Sequence, residues 1–239
     1  AMVYLAQSKL DAAEPLFRKA LSIQEKSLGV EHPSLSSAIN NLAELYRAMH
    51  RLEKAEPLYK RALEVRQKFL GDEHVEVAEI LFNLGQLYKE NGRVAEAELA
   101  FRQVLKIYEK FYGGDHPEIA EVLTDLASLF SSPSELEMAE TFHRRALSIR
   151  EAALSPGNPK VAESLYNLGK IYHTNGHFNR AESLFRRSIE IFEDAVGFNH
   201  PAVTDCMEIL VDLLKKTNRG EDAEAIARKL AMIKEQVES

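Results

Sequence analysis

Residues 42–74 read LAELYRAMHRLEKAEPLYKRALEVRQKFLGDEH, and the pattern of this stretch returns along the chain at a fixed step of 42 residues. The dipeptide Ala-Glu marks the step and begins at Ala13, Ala55, Ala97, Ala139, Ala181 and Ala223. A second marker keeps the same register at His32-Pro33, His74-Val75, His116-Pro117, Asn158-Pro159 and His200-Pro201. Two independent markers in one register indicate a single repeated unit without insertions. Such units bury their apolar faces only by stacking on their neighbours.

Each unit contains two predicted helices. The first, helix A, follows the His-Pro marker and carries apolar residues at steps of three and four, as an amphipathic helix does. The second, helix B, runs from about Leu52 to Leu70 in the type unit. Between them, Asn91-Gly92 and Asn175-Gly176 supply residues that tolerate the left-handed conformation that ends a helix. No segment shows the alternation of a strand, so the sequence predicts an all-α solenoid of antiparallel helix pairs.

The repeat also predicts the domain organisation, a single array over residues 1–239. A partial first repeat occupies 1–31, repeats follow at 32–73, 74–115, 116–157 and 158–199, and the last repeat with a capping helix occupies 200–239. The third helix A is interrupted by Pro133, which cannot donate a backbone hydrogen bond, so we expect it to end early. Ser134 and Glu137 are expected to form a capping box for the helix B that follows.

Small residues occur in the middle of helix A, at Ala43, Gly85, Ala127 and Gly169. Glycine inside a helix costs about 1 kcal/mol relative to alanine. Its presence at this position therefore predicts a close approach between helices A and B.

Composition excludes several classes of function. The net charge of −7 gives no support for nucleic-acid binding, which needs a basic surface. Cys206 is the single cysteine, which is typical of a reducing, cytoplasmic setting. No apolar run approaches the ~20 residues of a membrane span, so direct membrane insertion is not expected.

No catalytic motif and no cofactor motif appears, and the protein is not expected to be an enzyme. The recurring histidines of the His-Pro marker are also not expected to bind a metal. Equivalent residues on stacked helix pairs lie at least ~8–10 Å apart, whereas zinc ligands lie at ~2 Å from the metal. Asn158 in the fourth of these positions favours helix capping instead.

The runs Leu42-Ala43-Glu44-Leu45-Tyr46, Ala55-Glu56-Pro57-Leu58-Tyr59 and Leu70-Gly71-Asp72-Glu73-His74 resemble the tetratricopeptide repeat, whose ordinary period is 34 residues. The 42-residue period resembles the variant found in kinesin light chains, in nephrocystin-3-like proteins and in many bacterial repeat proteins. The resemblance implies a right-handed superhelix whose helices A line a concave groove that holds peptides.

The resemblance also implies which residues face the groove. The helix-A residue before the family's leucine often hydrogen-bonds a ligand backbone, and the matching positions here are Asn41, Asn83, Asp125 and Asn167. An amide offers both a donor and an acceptor to main-chain groups. The alternative is that these residues bridge adjacent helices A and contact no ligand. Ile209 breaks the series in the last repeat.

Two neighbouring positions complete the candidate surface. One residue earlier lie Asn40, Phe82, Thr124 and Tyr166, of which Phe82 and Tyr166 either seat an apolar anchor of a partner or pack in the core. One turn later lie Glu44, Gln86, Ser128 and Lys170, a mixed set that would confer selectivity if exposed.

Charged residues also recur, with acids in the first turn of helix A at Glu79, Glu121, Glu163 and Asp205, and basic residues in its last turn at Arg47, Lys89, His173 and Lys215. They either orient a charged peptide or complement the helix dipole. Helix B carries six acid-first pairs at i and i+4, beginning at Glu14, Glu56, Glu98, Glu140, Glu182 and Glu224, which indicates a structural role.

The sequence therefore predicts a non-catalytic adaptor or scaffold that binds a peptide segment of a partner protein in the groove of helices A. The alternative is a structural element that self-associates through its ends or its convex face.

Overall fold

The computed structural model describes residues 10–238, with the side chains of residues 236–238 excepted. The predicted remnant of a first helix A at residues 1–7 lies outside this range. Within it, the secondary structure is eleven α-helices and no strand. These are α1 (Leu10–Leu28), α2 (Leu35–Ala48), α3 (Leu52–Leu70), α4 (Val75–Glu90), α5 (Val94–Tyr112), α6 (Pro117–Ser128), α7 (Leu136–Ala153), α8 (Pro159–Thr174), α9 (Phe178–Val196), α10 (Pro201–Lys216) and α11 (Gly220–Glu238). The predicted all-α class is confirmed.

The helices group into two compact units. The first ends at Gly114 and the second begins at Asp115, at a junction between predicted repeats. In the first unit α2 packs on α3 and α4 on α5, and in the second α6 packs on α7, α8 on α9 and α10 on α11. Each pair is a helix A followed by a helix B. The extension of the repeats into one superhelical array stays a prediction.

A three-residue turn joins helix A to helix B in four repeats, at residues 49–51, 91–93, 175–177 and 217–219. Its middle residue has a positive φ, 71° at Gly92, 73° at Gly176 and 58° at Asn218. This backbone allows Arg93 N–H to donate to the Tyr88 carbonyl at 2.8 Å, which closes the helix end. The turn predicted from the Asn-Gly pairs is confirmed.

The first residue of the His-Pro marker is a helix N-cap in four of its five copies, whereas α2 begins at Leu35, after Ser34. The Nδ1 atom of His74 accepts from Glu76 N–H, and the same bond recurs at His116 and His200. Asn158 places its Oδ1 in the same position and accepts from Lys160 N–H at 2.9 Å. Histidine and asparagine are interchangeable here because each presents an acceptor to an otherwise unpaired backbone donor. The capping role expected from Asn158 is confirmed.

The small residue inside helix A allows an aromatic ring of helix B to approach. A Cβ atom at Gly85 would lie 2.7 Å from Cε1 of Phe101, and one at Gly169 would lie 2.8 Å from Cε1 of Phe185. Both rings are fully buried. The close approach predicted from these glycines is therefore confirmed in α4–α5 and α8–α9.

The third repeat is irregular, as expected from Pro133. Helix α6 has 12 residues, against 16 in α4, and the connection to α7 spans residues 129–135. The predicted capping box of Ser134 and Glu137 is wrong, because α7 begins after Glu135. The carboxylate of Glu135 instead accepts from the hydroxyl of Ser132 at 2.6 Å and from its backbone N–H at 3.3 Å.

Ion pairs follow the repeat. Five of the six predicted i, i+4 pairs lie within 4 Å, at Glu14–Arg18, Glu56–Lys60, Glu98–Arg102, Glu140–Arg144 and Glu182–Arg186. In the sixth, Arg228 donates to the backbone carbonyl of Glu224 instead. The repeated glutamate also joins neighbouring repeats, since Glu14 accepts from Tyr46 at 3.0 Å and from Arg51 at 2.8 Å. These charges therefore have structural partners.

Candidate functional site

The first unit brings the predicted residues of α2 and α4 into one hydrogen-bond network. The Nδ2 atom of Asn83 donates to Oδ1 of Asn40 at 3.2 Å and to Oε1 of Glu44 at 3.2 Å. Both amide protons of Asn83 are thus used between helices, and only its carbonyl oxygen stays open to a ligand. Asn41, one position later in α2, is half-buried and lies outside these bonds.

A second bridge joins the same two helices one turn further along. Arg47 donates to Oε1 of Glu90 at 2.8 Å and to Oε1 of Gln86 at 3.4 Å. We call this surface the α2–α4 face. It is defined by Asn40, Glu44 and Arg47 on α2 and by Asn83, Gln86 and Glu90 on α4. Its polar side chains therefore bond to each other across the two helices.

In the second unit, the equivalent side chains of α6 and α8 are not joined by such hydrogen bonds. Asn167 is half-buried and makes no hydrogen bond with any described part of the chain. The hydroxyls of Thr124 and Ser128 donate back to carbonyls of their own helix, at Ala120 and Asp125. We call the surface formed by Thr124, Asp125 and Ser128 of α6 and by Tyr166, Asn167 and Lys170 of α8 the α6–α8 face.

Lys170 adds a cation to this face. Its ammonium lies 4.5 Å from the centre of the Tyr166 ring, a cation–π contact. No carboxylate among the described residues lies within ion-pair distance of it. Desolvation lowers the pKa of Lys170, although the carboxylates of Asp205 and Glu163 oppose that shift. The α6–α8 face thus presents a cation that contacts an aromatic ring but no carboxylate of the described residues, beside an amide that makes no hydrogen bond with them.

A cavity of about 300 Å³ opens on the α6–α8 face. It is lined by Thr124, Ala127, Ser128, Phe130, Ser131, Leu136, His143, Asn167, Lys170, Ile171 and Thr174. His143, on α7, is only 6% exposed, and its Nδ1 atom is buried without a hydrogen-bond partner. Burial lowers the pKa of His143 to about 4, with smaller contributions from the charges of Lys170 and Arg150. Its imidazole is therefore neutral at pH 7.

The sequence analysis did not predict His143 as a site residue, although comparison of equivalent positions in the 42-residue register shows that it is unusual. The equivalent positions hold Phe17, Tyr59, Phe101, Phe185 and Ala227, so His143 is the one imidazole in the series. The cavity itself depends on which helices meet around that ring, which the register does not give.

Phe82 and Tyr166, predicted either to seat an anchor or to pack in the core, do pack against buried rings of helix B. The ring centres of Phe82 and Phe101 are 5.6 Å apart, and those of Tyr166 and Phe185 are 6.1 Å apart. Both residues keep part of their surface exposed. They contribute to the core and to the walls of the candidate surface together.

Several of the recurring charged residues of helix A form ion pairs within the protein. Glu121 pairs with the fully buried Arg150 at 3.1 Å and with Lys160. His173 lies 3.3 Å from Asp212 of α10, and Arg47 bridges to α4 as described above. These contacts favour a structural explanation for these charges over peptide orientation.

Metal sites and membrane-spanning helices are both absent from residues 10–238. No group of three or more histidine, cysteine, aspartate or glutamate side chains there could hold a metal ion. None of its helices combines the length and the apolar character that crossing a membrane requires.

The helix pairs, the capping marker and the repeat register define a tetratricopeptide-type array of helices. The sequence profile of the tetratricopeptide repeat family matches residues 1–68, 34–110, 100–152 and 134–194. The chain belongs to the tetratricopeptide repeat family, whose members bind protein partners. A comparison with curated protein sequences gave no significant match.

Several solved structures share this fold. BtubC (BKLC) from P. vanneervenii is 22% identical with a TM-score of 0.80, and the match covers 98% of this chain and 92% of that one. A putative kinesin light chain with nearly identical TPR-like repeats, from Podosopora anserina, is 21% identical with a TM-score of 0.73, covering 86% and 98%. The apo form of RapI is 19% identical with a TM-score of 0.74, covering 85% and 71%. At these identities the likeness shows the fold alone.

Proposed function

We propose that this protein binds an extended peptide segment of a partner protein along the exposed faces of its helices A, as a non-catalytic adaptor. The observation that carries the proposal is the α6–α8 face. There an amide at Asn167 without a hydrogen bond to the described residues, a cation at Lys170 without a carboxylate partner among them, and a cavity of about 300 Å³ occur together. Polar groups of this kind gain hydrogen bonds when a peptide backbone lies over them.

The two candidate faces differ in what they offer to a peptide. On the α2–α4 face, Asn83 keeps only its carbonyl oxygen, so it can accept a hydrogen bond from a peptide but not donate one. On the α6–α8 face, Asn167 can do both. We therefore propose that the second unit makes the stronger contacts, and that Asn40, Asn41, Phe82 and Gln86 are the peptide contacts of the first unit.

The proposal is tested with a random dodecapeptide library displayed on phage and selected on the complete chain. Binding of the selected peptides is then measured by fluorescence anisotropy with the Asn167→Leu variant. We expect a loss of about tenfold or more, because a buried amide hydrogen bond contributes about that factor. The melting temperature should not change, because Asn167 makes no internal hydrogen bond.

Asn179→Leu is the matched control, since Asn179 is an exposed asparagine near the start of α9, a helix B. It should leave peptide binding unchanged. Equal affinity of the selected peptides for Asn167→Leu and the native chain would contradict groove binding by this face.

Self-association is the second candidate, and exposed apolar residues at the end of two helices B favour it. Phe69 is 53% exposed and Phe111 is 61% exposed, at equivalent positions in α3 and α5. Sedimentation velocity at 5 and 100 μM (about a twentyfold range) separates the two functions. Self-association would be supported if the native chain forms a dimer and the double variant Phe69→Lys, Phe111→Lys stays monomeric.

Two finer assignments belong to the same proposal. The 42-residue period supports membership in the variant class of kinesin light chains and nephrocystin-3-like proteins, and the lone buried cysteine supports a cytoplasmic setting. Hydrophobic contacts and main-chain hydrogen bonds suffice for the proposed binding, so it requires no cofactor.

A further inference from the structure

The end of α5, a helix B of the first unit, presents an exposed aromatic ring beside an excess of positive charge. The side chain of Phe111 is largely exposed, and its ring centre lies 4.8 Å from that of Tyr112 in an edge-to-face contact. Lys106 and Lys110 precede it on the same helix and share one carboxylate, that of Glu73. We call Lys106, Lys110 and Phe111 the α5 knob.

A cavity of about 240 Å³ opens between α9 and α11, two helices B of the second unit. Its apolar lining includes Ile189, Met207 and Leu210, which are buried, and Ile226, which is partly buried. A cavity of about 150 Å³ already holds a benzene molecule. The cavity between α9 and α11 is therefore large enough and apolar enough to receive one phenyl ring.

The unpaired charges around this cavity are negative. Its two basic residues already form ion pairs with glutamates of α9, Arg186 with Glu182 and Lys229 with Glu193. Glu190 and Asp194 also line the cavity, are exposed, and form no ion pair with any part of the chain that the structure describes. We call the cavity together with Glu190 and Asp194 the α9–α11 socket.

The charges of the knob and of the socket are opposite at equivalent positions of the repeat. Glu190 and Asp194 lie two repeats after Lys106 and Lys110. Each pair has the i, i+4 spacing, which places two side chains about 5–6 Å apart on one face of a helix. Two lysines and two carboxylates with the same spacing can form two ion pairs at once. The two surfaces are therefore complementary in charge as well as in shape.

The end of α3 is similar to the α5 knob but lacks this match. Phe69 is also exposed and follows a lysine. In α3, however, Glu64 takes the position of Lys106. A carboxylate there would face the carboxylates of the socket, and like charges placed together oppose docking. This comparison favours α5 over α3 as the source of the ring.

We propose that the α5 knob of one molecule docks into the α9–α11 socket of a second copy of this chain. Phe111 enters the apolar cavity, and the two lysines exchange their shared Glu73 for the two unpaired carboxylates of the socket. The proposal names the surfaces of the self-association given above as the second candidate function, and it does not depend on peptide binding. Two different surfaces meet, so the interface is heterologous.

The association should be weak and reversible. One ring and two ion pairs at the rim form a small interface, and small interfaces are typical of transient complexes. Exposed ion pairs also contribute little and are screened by salt. We expect a Kd of about 10 to 100 μM. Sedimentation velocity of the native chain should then show the mean sedimentation coefficient increasing between about 5 and about 500 μM.

Reversal of the charges on each surface tests the contact directly. Lys106→Glu with Lys110→Glu changes only the knob, and Glu190→Lys with Asp194→Lys changes only the socket. We expect each double variant alone to sediment as a monomer at about 500 μM, because like charges then meet. An equal mixture contains native knobs for native sockets and reversed knobs for reversed sockets. Association in the mixture should therefore return to within about threefold of the native affinity, which also shows that both variants are folded.

Two phenylalanines at equivalent positions provide a matched pair for the apolar contact. Phe111→Ala should weaken association by about tenfold or more, because an aromatic anchor in a pocket carries a large share of the binding energy of a small interface. Phe69→Ala should leave the affinity within about twofold of the native value, because α3 lacks the second lysine.

The remaining outcomes would contradict the docking. A native chain that is monomeric at about 500 μM, a reversed variant that associates by itself, or a mixture that stays monomeric would overturn it. Equal losses in Phe111→Ala and Phe69→Ala would overturn the assignment of the knob to α5. The peptides selected for the groove should bind all these variants with native affinity, since the α6–α8 face contains none of the changed residues. Failure of groove binding and failure of docking are therefore observed separately.

Discussion

The α2–α4 face of the first unit and the α6–α8 face of the second use the same positions of the repeat in opposite ways. In the first, Asn83 donates to Asn40 and Glu44, and Arg47 reaches Gln86 and Glu90. In the second, Asn167 makes no hydrogen bond with the described residues, and Thr124, Ser128, Asn167 and Lys170 line one cavity. The first face stabilises its helices with the side chains that the second keeps available for a ligand.

The difference originates in a few side chains. Thr124 and Ser128 are too short to cross to α8 and bond to their own helix, whereas Asn40, Glu44 and Arg47 reach across to α4. His143 then replaces the large apolar ring that would fill the space below. One repeat architecture therefore yields a face whose side chains are bonded to each other and a face with an unbonded amide, through local changes of side-chain length and polarity.

The largest expected effect concerns the buried arginine of each unit. Arg66 and Arg150 are equivalent, and each contacts the preceding helix A, at Ser37 and Glu121. The side chain of Arg150 is 0% exposed and that of Arg66 is 14% exposed. Arg150→Met should cost about 3 kcal/mol, near the lower limit for a broken buried pair because Glu121 keeps Lys160. Urea unfolding should show a smaller loss for Arg66→Met, and equal losses would contradict this difference.

A second prediction concerns the pH dependence of stability in the second unit. The pKa of His143 is about 4 in the folded protein against 6.5 in the unfolded chain. The unfolded state then binds more protons, so stability decreases as the pH falls from 6.5 toward 4. Between pH 7 and pH 5 the loss from this group should be about 2 kcal/mol. His143→Phe should lack this component in urea unfolding at the two pH values, and an unchanged dependence would refute the assignment.

A third prediction compares the packing of helices A and B. Gly85→Ala places a Cβ atom 2.7 Å from the Phe101 ring. Overpacking costs about 1–3 kcal/mol, against about 1 kcal/mol gained in helix propensity, so the net loss should be between about 0 and 2 kcal/mol. Ala127→Gly, in the repeat with His143, should cost only the propensity term. A gain of stability in Gly85→Ala would show that the ring moves aside freely.

The smallest effect distinguishes the two asparagines. Asn83→Ala should lower stability by about 1 kcal/mol, because it removes two bonds between α2 and α4. Asn167→Ala should leave stability unchanged and weaken peptide binding. Thermal unfolding and anisotropy with the selected peptides measure the two effects, and a reversal of the pattern would exchange the roles of the two faces.

The sequence by itself determined the helix pairs, their register and their ends. The 42-residue step of Ala-Glu and His-Pro predicts the repeats, because an uninterrupted period permits only a stack of equal units. The Asn-Gly turns, the capping residue at His74 and Asn158, and the close approach at Gly85 follow from backbone chemistry that is local to each motif.

Only the tertiary structure decided how each candidate side chain is used. Asn83 and Asn167 occupy equivalent positions of the repeat. The side chains around each of them come from other helices, and these neighbours determine whether the amide is hydrogen-bonded. The start of α7 after Glu135, whose carboxylate bonds to Ser132 in place of the predicted box of Ser134 and Glu137, likewise depended on where the irregular turn placed the chain. A period in sequence fixes which positions are equivalent, but contacts between repeats depend on side chains about 40 residues apart.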